Sequence, residues 1–321
     1  MNTILANDGL DKIAIERLSA KGFTISIPKY TQADLPNHIH EADVVIVRST
    51  TKIRKPEIDA ASNLKLIIRA GVGIDNIDAE YAQSKGIKVS NTPLASSHSV
   101  AEMVFAHLFN GARFLHHSNR QMTLNGATHF NELKLKYSKG VELKGKTLGI
   151  IGFGNIGMEI ARMALSLRMN VVTYDLFPRT VNLKIDFPHD QILSFPITTV
   201  SKEMVIATSD FISVNVSGKD EVLTKAEFEQ MKNGVGIINC ARGGVVNEND
   251  LLEYLNNGKI SFAGIDVFKN EPTPREDLLQ HPKVSLSPHV SSSTIECQQR
   301  IGNEVADIVI DFFKSVVKET A

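Results

Sequence analysis

Four side chains suited to acid–base work and anion binding stand late in the chain, each just beyond a short apolar run. Arg242 lies in INCARGGVVNENDLLEYL, Asp266 and Glu271 in GIDVFKNEP, and His289 in VSLSPHVSSST. An imidazole titrates near neutral pH and can take or give a proton there. A guanidinium offers a planar fork of donors that matches a carboxylate. The apolar runs read as strands of a parallel sheet, and residues just beyond the carboxyl ends of such strands face the ligand crevice. Proton transfer beside a bound carboxylate is the chemistry this set suggests.

A second cluster precedes them. The stretch KTLGIIGFGNIGMEIARMAL (146–165) sets Gly152, Gly154 and Gly157 in G-x-G-x-x-G spacing between a strand and a helix. The first glycine permits a tight turn, the second lets backbone approach a pyrophosphate, and the third allows close helix–strand packing. Asn155 and Ile156 open the helix, whose free N–H groups and dipole favour phosphate. The next strand ends VVTYD, so Asp175 can accept from ribose hydroxyls and repel a 2′-phosphate. NAD is therefore favoured over NADP, with Arg179 close enough to keep NADP open.

The elements that must hold these groups fall into two series. Before the glycine motif, TILAN, TISI, DVVIVRS and LKLIIRAG read as buried strands alternating with helical segments, the pattern of βαβ units. After residue 145 a second strand–helix series begins. A long helical pattern (99–122) joins the two, and another follows residue 293, with Ile301, Val305, Ile308, Val309 and Phe312 in phase. This predicts a dinucleotide-binding domain (99–287) inserted into a first domain (1–98 and 288–321). Two chain crossings make a hinge, with the substrate expected between the domains. Residues 176–196 contain Pro178, Pro188 and Pro196 and take no assignment.

Composition narrows the class. Of 321 residues, 42% are apolar and 22% charged, and the net charge is −1, so neither nucleic acid nor an anionic membrane is implied as a partner. Two cysteines give no disulfide framework and fit a reducing compartment. With no signal-type leader and no membrane-length apolar run, a cytoplasmic protein is expected. His38/His40 and His116/His117 lack supporting Cys or carboxylate clusters, so they are read as surface residues and no metal is expected.

Together with RAGVGIDNID upstream, these motifs resemble, in order and over nearly the whole chain, the D-isomer-specific 2-hydroxyacid dehydrogenase family. The resemblance implies an α/β fold in which a Rossmann domain is inserted into a flavodoxin-like substrate domain, with NAD as cofactor. It assigns His289 as acid–base group, Glu271 as its carboxylate partner, and Arg242 as the clamp on the substrate carboxylate. Backbone N–H groups of Val72 and Gly73 would take the other side of that carboxylate. Asp266 matches the residue near the nicotinamide carboxamide, though it could instead cap a turn. Cys240 and Ser292 fall beside the same cofactor.

Within the family, VVIVRSTTKI and IIRAGVGIDNID resemble the phosphoglycerate-oxidising branch at the entry to serine biosynthesis. Arg48 and Arg69, each at a strand end, would then bind a substrate phosphate, giving a phosphorylated 2-hydroxy acid as the small-molecule partner. The resemblance also implies a homodimer through the 99–122 helix and the arm after it, where Lys134 or Lys136 could reach the neighbouring subunit's phosphate. Three departures stand out: Asn215-Val216-Ser217 in place of His-x-Pro, Asn247 for aspartate, and Ser291 for glycine. Nothing follows the closing helix, so a C-terminal regulatory domain and feedback by serine are not expected. Two other functions stay open: a glyoxylate or hydroxypyruvate reductase or other D-2-hydroxyacid dehydrogenase, and a non-enzymatic, NAD-responsive corepressor-like protein.

Overall fold

In the computed structural model, residues 2–319 are described, with side chains described to Ser315. The chain divides into two compact units, one running to Ser96 and resuming at Ser293, the other spanning Ser97–Ser292.

The first unit is built on five parallel strands, in spatial order Thr24–Ser26, Thr3–Ala6, Val44–Val47, Leu66–Arg69 and Lys88–Asn91. Numbered along the chain this is 2-1-3-4-5, the flavodoxin-like order. Successive side chains of a strand point to opposite faces. Ile4, Val44, Ile46, Leu66 and Ile68 accordingly meet Leu18 and the closing helix Ile295–Glu319 through Ile301, Val305 and Val309. Leu5, Val45, Val47 and Ile67 bury against Leu35, Ile39, Ile58 and Ile77 on the other face. Each such buried side chain contributes about 1.5–3 kcal/mol. Arg17 ties the helix Lys12–Ser19 to the closing helix, donating to Asn303 O at 3.0 Å and to Asp307 at 2.5 Å. The strand Lys88–Asn91 escaped the sequence reading because it is a half-exposed edge without an apolar run.

The second unit carries six parallel strands in the order Val284–Leu286, Ile260–Ile265, Val235–Asn239, Phe211–Val214, Thr147–Ile151 and Asn170–Tyr174. Helices pack on both faces, forming the doubly wound Rossmann arrangement. The order reverses beside Thr147–Ile151, whose neighbours are the second and third strands of this sheet in chain order. Its carboxyl end is the switch point where a ligand crevice opens.

Two stretches differ from the sequence reading. The expected single helix over 99–122 is two, Ser97–Ala112 and Leu115–Lys136, parted where Phe114 adopts φ +55°. Apolar periodicity continues across that break, so the pattern does not reveal it. Residues 176–196 contain most of an antiparallel hairpin, Thr180–Phe187 paired with Gln191–Thr198. Its prolines are tolerated because Pro188 lies in the turn and Pro196 in a two-stranded ribbon, where edge positions need no ladder N–H. Leu183 and Ile185 are its buried side chains, and Arg162 Nε donates to Lys184 O at 2.8 Å. His116 and His117, expected at the surface, are half-buried, and His116 Nε2–H donates to Pro282 O at 3.1 Å. No helix among the described residues is long and apolar enough to cross a membrane.

Candidate active site

The glycine turn follows from local sterics. Gly152 has φ +93°, and a Cβ there would lie 2.7 Å from Asn215 O. A Cβ on Gly157 would lie 2.2 Å from Gly152 O, so only glycine lets the helix Asn155–Ser166 start this close to its strand. Around Gly154 the space is open to 4 Å, and no side chain caps that helix. An uncapped helix start beside open space fits a pyrophosphate. Asn155 and Ile156 form the first turn of this helix.

Asp175 stands beyond the neighbouring strand, accepting from Phe153 N–H at 2.8 Å and Phe177 N–H at 3.2 Å. Each oxygen keeps acceptor capacity for a hydroxyl. Arg179 lies 3.7 Å from Asp175 Oδ2, donates to Phe153 O and sits over the Phe153 ring. The guanidinium thus belongs to the edge of the cofactor corner. Sequence spacing alone had not shown its contact with the turn.

At the opposite end of the sheet two loops converge. His289 Nδ1 lies 2.7 Å from Glu271 Oε2, and the other Glu271 oxygen accepts Phe268 N–H at 2.9 Å. A carboxylate facing Nδ1 keeps the proton on that nitrogen, which leaves Nε2 as a base when the ring is neutral and an acid when it is charged. Nε2 makes no hydrogen bond among the described residues. His289 has φ +55°, uncommon for a residue with a Cβ.

Asp266 explains how that turn is held. It is fully buried, its oxygens accepting from Val290 N–H and Ser291 N–H at 3.0 Å and from Ser287 Oγ at 2.5 Å, while its carbonyl takes His289 N–H at 2.8 Å. These bonds fasten the turn that carries His289. Ser291 is buried and Ser292 half-buried immediately after it.

Arg242 leaves the strand Val235–Asn239 through a loop shaped by Asn239, which accepts Ala241 N–H at 3.1 Å and donates to Arg242 O at 3.0 Å. Its guanidinium donates to Ala241 O at 2.7 Å. Cys240 is buried in the same loop, and burial, reinforced by Asp266, pushes its thiol well up, so it stays neutral. Asn239 was not anticipated. Its only signal was its place just before Arg242.

The first unit holds Val72, Gly73, Arg69 and Arg48, expected from the sequence to meet the substrate. Val72 and Gly73 N–H groups make no hydrogen bond among the described residues. Arg69 folds over Gly71 into space a side chain would fill and donates to Ala70 O at 3.3 Å. Arg48 is anchored by its backbone N–H to Asp8 Oδ2 at 2.7 Å, and its guanidinium donates to Gln298. Asp8 and Gln298 went unnoticed in the sequence because they lie 40 and 250 positions from Arg48.

A doubly wound sheet with a glycine turn, a strand-end acid and a histidine–carboxylate pair defines a nicotinamide-dependent oxidoreductase. Comparison with known proteins gives the family. Residues 105–291 match the model of the D-isomer specific 2-hydroxyacid dehydrogenase, NAD binding domain, and the chain belongs to this family. It is 39% identical over 308 residues to a hydroxypyruvate reductase of Thermotoga maritima, covering 94% of this chain and 95% of that protein. It is 33% identical over 318 residues to a D-3-phosphoglycerate dehydrogenase of Archaeoglobus fulgidus, covering 98% of this chain but 58% of that longer protein. Among solved structures, an acyclic imino acid reductase in complex with NADPH and D-Arg is similar at TM-score 0.84 and 25% identity, over 98% of this chain and 97% of that one.

Proposed function

We propose that the chain interconverts a short D-2-hydroxy acid and its 2-oxo acid, with His289 as the acid–base group. The observation that carries this reading is the His289–Glu271 pair, 2.7 Å apart, with Nε2 left over for a substrate oxygen. A bound nicotinamide supplies the hydride acceptor or donor. Nε2 takes the hydroxyl proton during oxidation and returns it to the carbonyl oxygen during reduction. Glu271 holds Nδ1–H and balances the imidazolium that forms. Arg242 binds the substrate carboxylate, as do the Val72 and Gly73 N–H groups. The glycine turn with Asn155 and Ile156 holds the pyrophosphate, Asp175 the ribose hydroxyls, and Cys240, Asp266 and Ser292 border the nicotinamide.

The substrate we propose is D-3-phosphoglycerate, because Arg48 and Arg69 place two positive charges at the ends of adjacent strands, Val44–Val47 and Leu66–Arg69. With that substrate, the reaction we propose would stand at the entry to serine synthesis. A second reading, hydroxypyruvate reduction, is supported by the near-complete two-way coverage of the Thermotoga relative. Initial rates with 3-phosphoglycerate, hydroxypyruvate, glyoxylate and D-lactate distinguish them. Under the phosphate reading, Arg69→Ala raises KM for 3-phosphoglycerate about 10–100-fold, the loss of a charged hydrogen bond, and spares KM for glyoxylate. An unchanged KM for 3-phosphoglycerate sinks that part. Cofactor binding without turnover of any acid would favour the corepressor-like alternative. We also propose a homodimer assembled through the exposed helix Leu115–Lys136, in a reducing cytoplasmic setting that suits two free cysteines.

A further inference from the structure

The helix Ser97–Ala112 carries one imidazole into the interior of the second unit. His107 is 3% exposed. Burial lowers its pKa to about 4, opposed by Asp266 and reinforced by His116. At neutral pH it therefore carries one N–H and one acceptor nitrogen. Nδ1 lies 2.9 Å from Ser285 Oγ and Nε2 3.0 Å from Ser287 Oγ.

The direction of each bond follows from the far end. Three donors, Val290 N–H, Ser291 N–H and Ser287 O–H, point at the two oxygens of the Asp266 side chain, which accept all three. Ser287 has thereby given its only proton, so towards His107 it must accept. Nε2 then bears the hydrogen, and Nδ1 is left to accept from the Ser285 hydroxyl. The Ser285 oxygen takes Asn110 Nδ2–H at 3.3 Å. Donors run one way, from Asn110 through both serines and His107 to Asp266, and Asp266 fastens the two amides that follow His289. Removing the Ser287 hydroxyl takes away the one side-chain donor to this carboxylate among the described residues and leaves its hold on the two amides unsupported from the interior.

We propose that His107 and Ser287 are positioning residues: acting through Asp266, they hold the left-handed turn at His289 and so the direction in which its free nitrogen points. This rests on reading His289 as the acid–base group. The test is steady-state kinetics with NADH and hydroxypyruvate, or NAD and 3-phosphoglycerate, whichever pair the wild type turns over. Ser287→Ala should lower kcat on the order of ten-fold, about one well-aligned hydrogen bond, while KM for the cofactor stays unchanged. Ser287→Thr keeps the hydroxyl and should restore kcat. His107→Leu should lower kcat similarly, and the double variant should fall no further than the worse single, because the two residues act in series. Full kcat in Ser287→Ala, no rescue by threonine, or a double loss equal to the product of the singles overturns the relay. Should His107→Leu fail to fold, the alanine–threonine pair at position 287 still decides. His289→Gln, measured alongside, separates the two ideas. If it retains wild-type kcat, the acid–base reading falls and the relay with it. If it is inactive while Ser287→Ala is not impaired, the relay alone falls.

Discussion

The His289–Glu271 pair costs and contributes little to folding, and its weight lies in chemistry. Both side chains are more than a third exposed, at 49% and 36%, so the ion pair is worth at most about 1 kcal/mol to stability. Its geometry, however, decides which ring nitrogen carries the hydrogen. Glu271→Ala leaves Nδ1 without a fixed acceptor, and the imidazole can exchange tautomers and swing. The expected outcome is a fall in kcat of roughly 10²-fold with an almost unchanged Tm, read by initial rates and thermal unfolding. An equal loss of both would assign Glu271 to folding instead. His107 makes the opposite case. Its pKa falls from 6.5 to about 4 because burial disfavours the charged ring, against the pull of Asp266 and with the push of His116. Between those values the unfolded chain binds a proton that the folded chain does not, so stability is full above pH 6.5 and declines as pH falls. Acidification from pH 7 to pH 5 should remove about 2 kcal/mol through this residue. His116, His117 and His281, also lowered mainly by burial, add with the same sign. Urea unfolding at both pH values should give a smaller drop for His107→Leu than for wild type. Equal drops would refute the assignment.

At the scale of the element, the glycine turn shows what a sequence can reveal. A methyl group at Gly157 would sit 2.2 Å from Gly152 O, an atom fixed within the turn. Gly157→Ala should push the helix Asn155–Ser166 off its strand, cost about 1–3 kcal/mol by overpacking, and weaken NAD binding through the displaced first turn. Calorimetry with NAD and thermal unfolding check both, and wild-type affinity in the variant would count against the close approach. Such a constraint is local, carried by three glycines within six residues, and so it was legible. Asp175, Glu271 and His289 could be singled out as candidates for a related reason: residues beyond the strand ends of a parallel sheet face the ligand crevice whatever their distant partners. The hairpin Thr180–Phe187/Gln191–Thr198 was not, because prolines mask strand character and the pairing lies outside the main sheet. His107 was invisible in another way. A histidine amid an apolar helix points to no partner, and its serines lie 178 and 180 residues further on.

At the scale of the molecule, the helix Leu115–Lys136 is where the proposed dimer can be tested. It runs 22 residues with a kink at His129, where the backbone leaves helical geometry (φ −123°, ψ 29°), and Leu133 is its one side chain buried within the unit. Leu124 and Leu135 are 75% and 76% exposed, and Leu115, Met122 and Phe130 are exposed as well. A helix without a packed apolar face has marginal stability in water, and these exposed apolar side chains have no cover within the unit. The simplest cover is the same surface of a second copy, related by a two-fold axis, since that interface closes on itself. The wild type should therefore sediment at twice the 35.3 kDa chain mass. Leu124→Lys combined with Leu135→Lys would bury two ammonium groups in that interface, and the variant should sediment as a single chain. Dimer formation also couples stability to concentration, so wild-type Tm should climb with protein concentration while that of the variant stays flat. A wild type that sediments as one chain at every concentration would leave this helix covered by something other than its own copy.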